Sequence, residues 1–421
     1  MSNSLRIKSV SVKGLFNQFD HHIDFNQEER ITILHGINGV GKTTLLRMIN
    51  NLFNFRIYNL NEIPFTSFVV ELSNDEKIKI KRLDHSSAGS VIHIFVNGVR
   101  IEYKNVDINY ILRRCPWVSR SENVMFYDNK MEKSLSLREL LEQYDDRFPK
   151  NKHVEDLEVF KNLRSIPMQF TETARLVQTD NNRRKGVSIS TVKVYALELQ
   201  QCIKNTMASY AKKTQELEQS FPFRLLEIPE RYSDEVLKQH IEALQDRRQE
   251  FRDIGLLPET DLAPMDAGSI DTLESHHAEV MNLYVKDSKE KLDVLQPLSE
   301  KIELLLKIIN GNFQGKELHI DENKGLIIIA KDGKEIDLSL LSSGEQHELV
   351  MFYVLIFKVA PNTLVMIDEP ELSLHISWQH KFIDELKEII KQAKFDVLMA
   401  THSPTIVGNN VHLMIGLGDT Q

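Results

Sequence analysis

The sequence GINGVGKTT at residues 36–44 is the strongest indication of the fold, because it fits the P-loop pattern G-x-x-x-x-G-K-S/T. It follows ITILH, an apolar run that predicts a strand, and it opens a segment of helical spacing from Lys42 to Phe55. In such a loop the backbone N–H groups close around phosphate oxygens, Lys42 meets the β- and γ-phosphates, and the Thr43 hydroxyl coordinates Mg²⁺. A chance glycine-rich turn is the weaker alternative, because strand, loop and helix occur in the required order. The predicted nucleotide-binding residues are Gly36, Asn38, Gly39, Gly41, Lys42, Thr43 and Thr44.

A second motif, TLVMIDEPE at residues 363–371, supplies two adjacent carboxylates. Its apolar run predicts a buried strand that carries Asp368 to the carboxyl end of a sheet, where ligands of open α/β sheets bind. We expect Asp368 to hold Mg²⁺, through water, and Glu369 to polarise the attacking water as a general base. A solvated strand end is the alternative, and a P-loop in the same chain makes it the weaker one. The predicted cofactors are therefore ATP and Mg²⁺.

The third motif, ATHSP at residues 400–404, follows another apolar strand. His402 could contact the γ-phosphate and the attacking water from there. A single histidine in a loop is more often structural. Its place directly after a strand of the same predicted sheet favours a catalytic role, beside Glu369 and Lys42.

The fourth motif, LSSGEQ at residues 341–346, opens an apolar helix. Ser342, Ser343 and Gly344 would present hydroxyls and free N–H groups at a helix N-terminus, which is a favourable place for a phosphate. The same residues with Glu345 also fit a capping box, in which serine and glutamate satisfy the helix start. Spacing alone does not separate the two interpretations.

The order of strands and helices predicts an α/β protein with a helical insertion. Short strands and hairpins occupy residues 1–186, helices occupy 187–310, and strands alternate with helices again in 311–421. In the helical part, Pro222 and Pro229 are expected to end the first helix, and Pro297 to interrupt the last one. We therefore expect an ATPase lobe, a helical insertion and a second ATPase lobe within these three ranges.

Composition indicates a cytoplasmic globular protein. The net charge of −9 argues against a surface coated with basic residues, although a local basic patch remains compatible with it. Cys115 and Cys202 are the only cysteines, so the sequence supports neither a disulfide framework nor a cysteine-based zinc site. No run reaches the roughly 18 apolar residues of a membrane helix. The adjacent histidines 21–22 and 276–277 are better interpreted as packed or solvated side chains than as metal ligands.

The four motifs in this order resemble the nucleotide-binding head of ABC-type ATPases, and LSSGE matches the signature motif of that family. The helical insertion and the DEPE and THSP segments are similar to the SMC/RecF-like and OLD-like (AAA-15) group. The resemblance implies a mixed sheet with an antiparallel subdomain. It also implies that the signature of one protomer completes the P-loop site of another, so that a homodimer or a higher even-numbered oligomer encloses ATP. Gln178, with Gln169 second, is the candidate for the Q-loop glutamine of that family, which implies a cofactor-binding role. His375 stands where the D-loop of that family usually has an aspartate.

The resemblance also suggests a partner. OLD-like nucleases carry a nuclease domain after the segment that matches THS, whereas this sequence ends at Gln421, so we expect no nuclease domain of its own. The chain looks like the ATPase subunits of Septu and retron-associated anti-phage systems, which implies an ATP-controlled regulator or sensor of a separate effector such as an HNH nuclease or a toxin. A RecF/SMC-like DNA repair or maintenance ATPase and a non-hydrolysing scaffold are the alternatives. The basic segment NNRRKG at residues 181–186 could touch DNA or RNA, or be an ordinary polar loop. No membrane partner is expected.

Overall fold

The computed structural model describes residues 5–85, 89–103, 112–120, 126–135, 139–140, 143–144, 154, 157–172, 191–226, 233–258, 275–372 and 374–418. Contacts divide the chain into two compact units. The first contains the described parts of 1–173, 359–372 and 379–421, and the second those of 174–358 and 373–378.

Seventeen strands are assigned in the described residues. They are β1 Ile7–Leu15, β2 Phe19–Asp24, β3 Ile31–His35, β4 Ser67–Leu72, β5 Lys77–His85, β6 Gly89–Val96, β7 Val99–Ile101, β8 Val118–Arg120, β9 Phe126–Asp128, β10 Lys133–Leu135, β11 Met168–Glu172, β12 Lys316–Asp321, β13 Gly325–Ala330, β14 Glu335–Ile336, β15 Leu364–Asp368, β16 Asp396–Ala400 and β17 Met414–Gly416. The α-helices are α1 Lys42–Phe53, α2 Glu158–Arg164, α3 Thr191–Leu225, α4 Asp234–Asp253, α5 Ser275–Asp293, α6 Gln296–Asn312, α7 Ser343–Tyr353, α8 Ile376–Gln379, α9 Phe382–Ala393 and α10 Pro404–Val407. A π-helical segment, Val354–Lys358, continues α7.

A parallel sheet with the order β11-β15-β16-β3-β17 forms the base of the first unit. Every residue of β15 and β16 is buried, which is why both segments read as continuous apolar runs. In their register Asp368 lies beside Ala400, and Ala400 lies beside Leu34. The P-loop, the two carboxylates and the histidine segment therefore leave the sheet at the same edge.

An antiparallel sheet with the order β2-β1-β4-β5-β6-β7 belongs to the same unit. Val12, Phe68, Ile80 and Ile94 are cross-strand neighbours and are fully buried. They share one apolar core with α1 and with residues of β15 and β16. This arrangement is the mixed α/β architecture with an antiparallel subdomain that the sequence predicts.

The second unit combines four helices, α3 to α6, with the small sheet β12-β13-β14 and the helix α7. Helix α3 packs so closely on β13 that a side chain at Gly325 would collide with the Ala196 carbonyl oxygen. Glu348 of α7 is fully buried and accepts a hydrogen bond from the Asn312 amide at 2.5 Å. The predicted boundary at residue 310 thus falls inside this compact unit, and the three-part division remains a prediction.

Several details differ from the sequence-based expectations. Helix α3 continues past Pro222 to Leu225, so Pro222 does not end it. Pro297 lies in the first turn of α6, where a missing N–H is tolerated, and the break precedes it. The three-stranded sheet β10-β9-β8 and helix α2 were not anticipated. Among the described helices none combines the length and apolar character needed to cross a bilayer.

Candidate functional site

The P-loop lies between β3 and α1, and its lysine is turned back into the loop. Lys42 is 5% exposed, and its Nζ donates to the Gly36 carbonyl at 2.8 Å and the Ile37 carbonyl at 3.3 Å. Asn38 and Gly39 are exposed, and Thr44 is half-buried. The loop thus encloses the lysine while leaving its tip open to a ligand.

Two positions of the loop need glycine, each for a different physical reason. Gly41 has a φ of +96°, and a Cβ there would lie 2.5 Å from Leu15 Cδ2. Gly36 has an ordinary φ, but a Cβ there would lie 2.5 Å from the Leu417 carbonyl oxygen. Both positions therefore require glycine for the loop to keep this path.

A buried histidine supports the loop from β2. His21 is 5% exposed, and its Nε2 lies 2.8 Å from the Val40 carbonyl oxygen. Its neighbour His22 is exposed and contacts Ser11 and Asp24. The expectation of packed or solvated histidines holds for this pair, yet the contact of His21 with the P-loop was not predicted. The side chains of residues 276 and 277 lie outside the described residues.

Thr43 and Asp368 meet across the edge of the parallel sheet. The Thr43 hydroxyl donates to Asp368 Oδ1 at 3.1 Å, and Asp368 is 8% exposed. A hydroxyl and a carboxylate oxygen are ligands that suit Mg²⁺, which completes its shell with water and phosphate oxygens. The residues present therefore fit the predicted metal, in the positions predicted for it.

Glu369 and His402 lie next to this pair. Glu369 has a left-handed backbone with a φ of +49°, and its N–H donates to the Ala400 carbonyl at 2.8 Å. His402 Nε2 is 3.9 Å from Glu369 Oε1, and its Nδ1 is 3.3 Å from Lys42 Nζ. An uncommon backbone conformation held by a neighbouring strand is typical of functional positions. The imidazole thus lies between the predicted base and the predicted phosphate-binding lysine.

Burial lowers the pKa of the Lys42 ammonium, while the negative charges of Glu369, Asp368 and Glu371 act in the opposite direction. An anionic ligand would restore the charge that burial disfavours. The lysine is therefore in an environment that favours phosphate binding.

The signature segment, in the second unit, forms the capping box. Ser342 Oγ accepts from the Glu345 N–H at 3.3 Å, while the Ser342 N–H and Oγ each donate to Glu345 Oε2 at 2.9 Å. Lys316 Nζ also lies 2.9 Å from this carboxylate. Burial alone would raise the pKa of Glu345, but the bonds from Lys316 and Ser342 hold it below its usual range. Ser342 and Ser343 are exposed, so the capping role is established and a phosphate contact remains a prediction.

Four other predicted positions or segments have separate outcomes. Gln178 and residues 181–186 lie outside the described residues. Gln169 is half-buried on β11 and is the register neighbour of Val365 on β15. His375 is exposed, and its Nδ1 lies 2.8 Å from Ser377 Oγ.

Comparison with known proteins gives one family and several relatives. Residues 6–407 match the model of the AAA ATPase domain. A protein described as "Retron Vc95 probable ATPase" from Vibrio cholerae serotype O1 biovar El Tor is 21% identical over 422 residues, which cover 96% of this chain and 71% of the relative.

The solved structures that resemble this chain include two SMC head domains. The Pyrococcus furiosus head, bound to the C-terminal domain of ScpA, is 15% identical with a TM-score of 0.42 and coverage of 98% of this chain and 93% of that one. The Thermotoga maritima head is 13% identical with a TM-score of 0.35 and coverage of 98% and 94%.

Proposed function

This chain belongs to the AAA ATPase domain family, and from that membership we propose that it binds ATP with Mg²⁺ and hydrolyses it in sites shared by two copies of the chain. The observation that carries the proposal is the convergence of Lys42, the Thr43–Asp368 pair and the Glu369–His402 pair at one sheet edge. A lysine, a metal-binding pair, a base and a histidine are the parts that phosphoryl transfer to water requires.

The proposed roles follow from the contacts. Lys42 exchanges its bonds to the loop carbonyls for bonds to the β- and γ-phosphates. Thr43 and Asp368 would hold Mg²⁺, which neutralises charge on the phosphates when bound. Glu369 orients the attacking water and takes its proton, and His402 contacts the γ-phosphate and keeps Glu369 and Lys42 in place. The fixed backbone of Glu369 keeps its carboxylate at the sheet edge without further reorganisation.

Assembly of two copies is supported by apolar side chains beside the predicted phosphate contacts. In the first unit Ile37 is 75% exposed within the P-loop and Leu372 is 73% exposed after Glu369. In the second unit Leu340 is 75% exposed just before the signature serines. Exposed apolar residues next to exposed polar ones are typical of protein interfaces. We propose that these surfaces pair when the Ser342 segment of one protomer meets the triphosphate held by its partner.

Mixing two inactive variants tests the shared sites. Lys42→Ala removes the phosphate-binding lysine, and Ser342→Arg blocks the signature. If each site needs Lys42 from one copy and Ser342 from the other, an equimolar mixture regains about a quarter of the wild-type rate, because half of the dimers are mixed and each has one complete site. A mixture as inactive as its components would contradict shared sites, while an active Ser342→Arg protein would show that one chain suffices.

We further propose that ATP turnover controls a separate effector, such as an HNH nuclease or a toxin, in bacterial anti-phage defence of the Septu or retron type. The relative described as a retron ATPase supports this direction. Cys115 and Cys202 are not joined in a disulfide, which suits the cytoplasm. Co-expression with the product of the adjacent gene should yield a stable complex. DNA-stimulated ATP turnover by the chain alone, with no complex, would instead favour the RecF/SMC-like alternative.

A further inference from the structure

A second glutamate of the DEPE segment holds the histidine loop. After Glu369 the chain turns through the 3-10 helix Pro370–Leu372, and the Glu371 side chain points back to the loop that follows β16. Its Oε2 accepts from the Thr401 hydroxyl at 2.9 Å, and its Oε1 accepts from the His402 N–H at 2.7 Å. Both carboxylate oxygens are thus occupied by the residues that set the position of the imidazole.

The rest of the loop is fixed by a ring of hydrogen bonds. Thr401 is fully buried, and its Oγ1 accepts from the Ser403 N–H at 2.9 Å while it donates to Glu371. The Ser403 hydroxyl donates to Gln379 Oε1 at 2.9 Å, and Gln379 Nε2 donates to the backbone carbonyl of Glu371 at 3.3 Å, which closes the ring. Each hydroxyl donates once, so the pattern of donors and acceptors is consistent around the ring. Gln379 is 8% exposed, so a lost partner inside this ring is not easily replaced by solvent.

We infer that Glu371 is a positioning residue for ATP hydrolysis, which acts by holding His402 between Lys42 and Glu369. Its carboxylate hydrogen bonds go to Thr401 and His402, so beyond the charge that it places near Lys42 it acts on the reaction through the histidine loop. This inference rests on the proposed function. Its consequence is that removal of Glu371 lowers kcat more than it weakens ATP binding, because a small displacement of a group at the reacting atoms costs rate steeply.

Two variants separate positioning from folding. Glu371→Ala removes both acceptors, and we expect kcat to fall about 100-fold while KM changes by less than about threefold. Glu371→Gln keeps the shape and one oxygen acceptor, so it should lower the melting temperature less than Glu371→Ala does and lose only about tenfold in kcat. Glu28→Ala, at an exposed position in the same unit, is the matched control and should behave as the wild type.

A double-mutant comparison identifies the route of the effect. If Glu371 acts through His402, Glu371→Ala adds little to the loss already caused by His402→Ala. Independent, multiplicative losses would overturn the inference, as would full activity of Glu371→Ala.

A measurement that does not depend on ATP turnover distinguishes failure of the positioning role of Glu371 from failure of the proposed ATPase function. Diethyl pyrocarbonate modifies accessible imidazoles, and mass spectrometry gives the rate at His402. That rate should rise severalfold in Glu371→Ala and remain unchanged in Glu28→Ala. An inactive wild-type protein would contradict the proposed function, whereas an unchanged modification rate at His402 would overturn the positioning role.

Discussion

Replacement of Glu369 by glutamine gives the sharpest test of the site. Glutamine has nearly the same shape, so the left-handed backbone and the N–H bond to Ala400 should persist. The carboxylate charge and its ability to take a proton from water are lost. The side chain is 38% exposed and lies 3.9 Å from His402 Nε2, so the loss of its charge should cost little stability, although Lys42 loses one of the three negative charges that offset its burial. The variant should fold normally and change only the chemistry.

The expected magnitude follows from the role of a general base. Such a group contributes about 10²–10⁴ in rate, which corresponds to about 2.7–5.5 kcal/mol of activation free energy. ATP should bind at least as tightly, because a negative charge near the γ-phosphate position is removed. Slow turnover should also prolong the ATP-bound dimer.

Two assays check these expectations in Glu369→Gln. Phosphate release measures kcat, and light scattering after size-exclusion chromatography with ATP measures the dimer fraction. We expect a fall of at least about 100-fold in kcat with a retained or larger dimer fraction. Unchanged turnover would refute the assignment of Glu369 as the base and would favour a nucleotide-dependent scaffold. Parallel loss of ATP affinity would show that the side chain supports the site structurally instead.

The remaining predictions concern the loop, its lysine and the signature helix. Gly41→Ala should abolish ATP binding and lower the free energy of unfolding by about 1–3 kcal/mol. The control Gly315→Ala also lies at a positive φ but has open space around it, so it should keep ATP binding. Equilibrium titration with ATP and urea unfolding measure the two effects. Because burial holds the pKa of Lys42 below its usual value, ATP affinity should fall as pH rises through that pKa, and calorimetry on Lys42→Arg should show a flatter profile. Lys316→Ala should lower the free energy of unfolding by about 1–2 kcal/mol, since its ion pair with Glu345 is partly buried. A urea midpoint equal to that of the wild type would contradict that contribution.

Local patterns predicted the elements that carry the motifs. The runs that precede Asp368 and His402 are fully buried parallel strands, and a P-loop must follow a strand and open a helix. Asn97 and Gly98 both have positive φ, as their hairpin turn requires. In each case the information lies within a few adjacent residues, so the sequence alone was sufficient.

Features that depend on distant partners were not predictable in this way. Helix α3 passes Pro222, and its last turn is held by Arg224, which donates to the Leu217 carbonyl at 2.7 Å and pairs with Asp287 of α5. A local rule about proline contains no information on that partner. The roles of Glu371 and His21 likewise depend on residues 31 and 19 positions away. For Glu371 the sequence offered one hint, the second glutamate of DEPE, but a glutamate in a solvated turn would look the same in the sequence.

Three side chains that are expected to meet phosphate or Mg²⁺ donate to protein acceptors in the structure. Lys42 donates to the Gly36 and Ile37 carbonyls, Thr43 donates to Asp368, and the Ser342 hydroxyl gives its single proton to Glu345. Binding of the triphosphate is therefore an exchange of bonds, and its net free energy is much smaller than the sum of the new contacts. Because a hydroxyl has one proton, Ser342 cannot donate to Glu345 and to a phosphate at once. The Ser342 O–H bond to Glu345 therefore competes with a bond to phosphate, and Lys316, which keeps Glu345 ionised, favours the internal bond. The cap itself, in which Ser342 Oγ accepts from the Glu345 N–H, is compatible with donation of the hydroxyl proton to a phosphate. Because the cap uses a lone pair of the serine oxygen and a phosphate would use its proton, the same residue fits both interpretations, and spacing alone could not separate them.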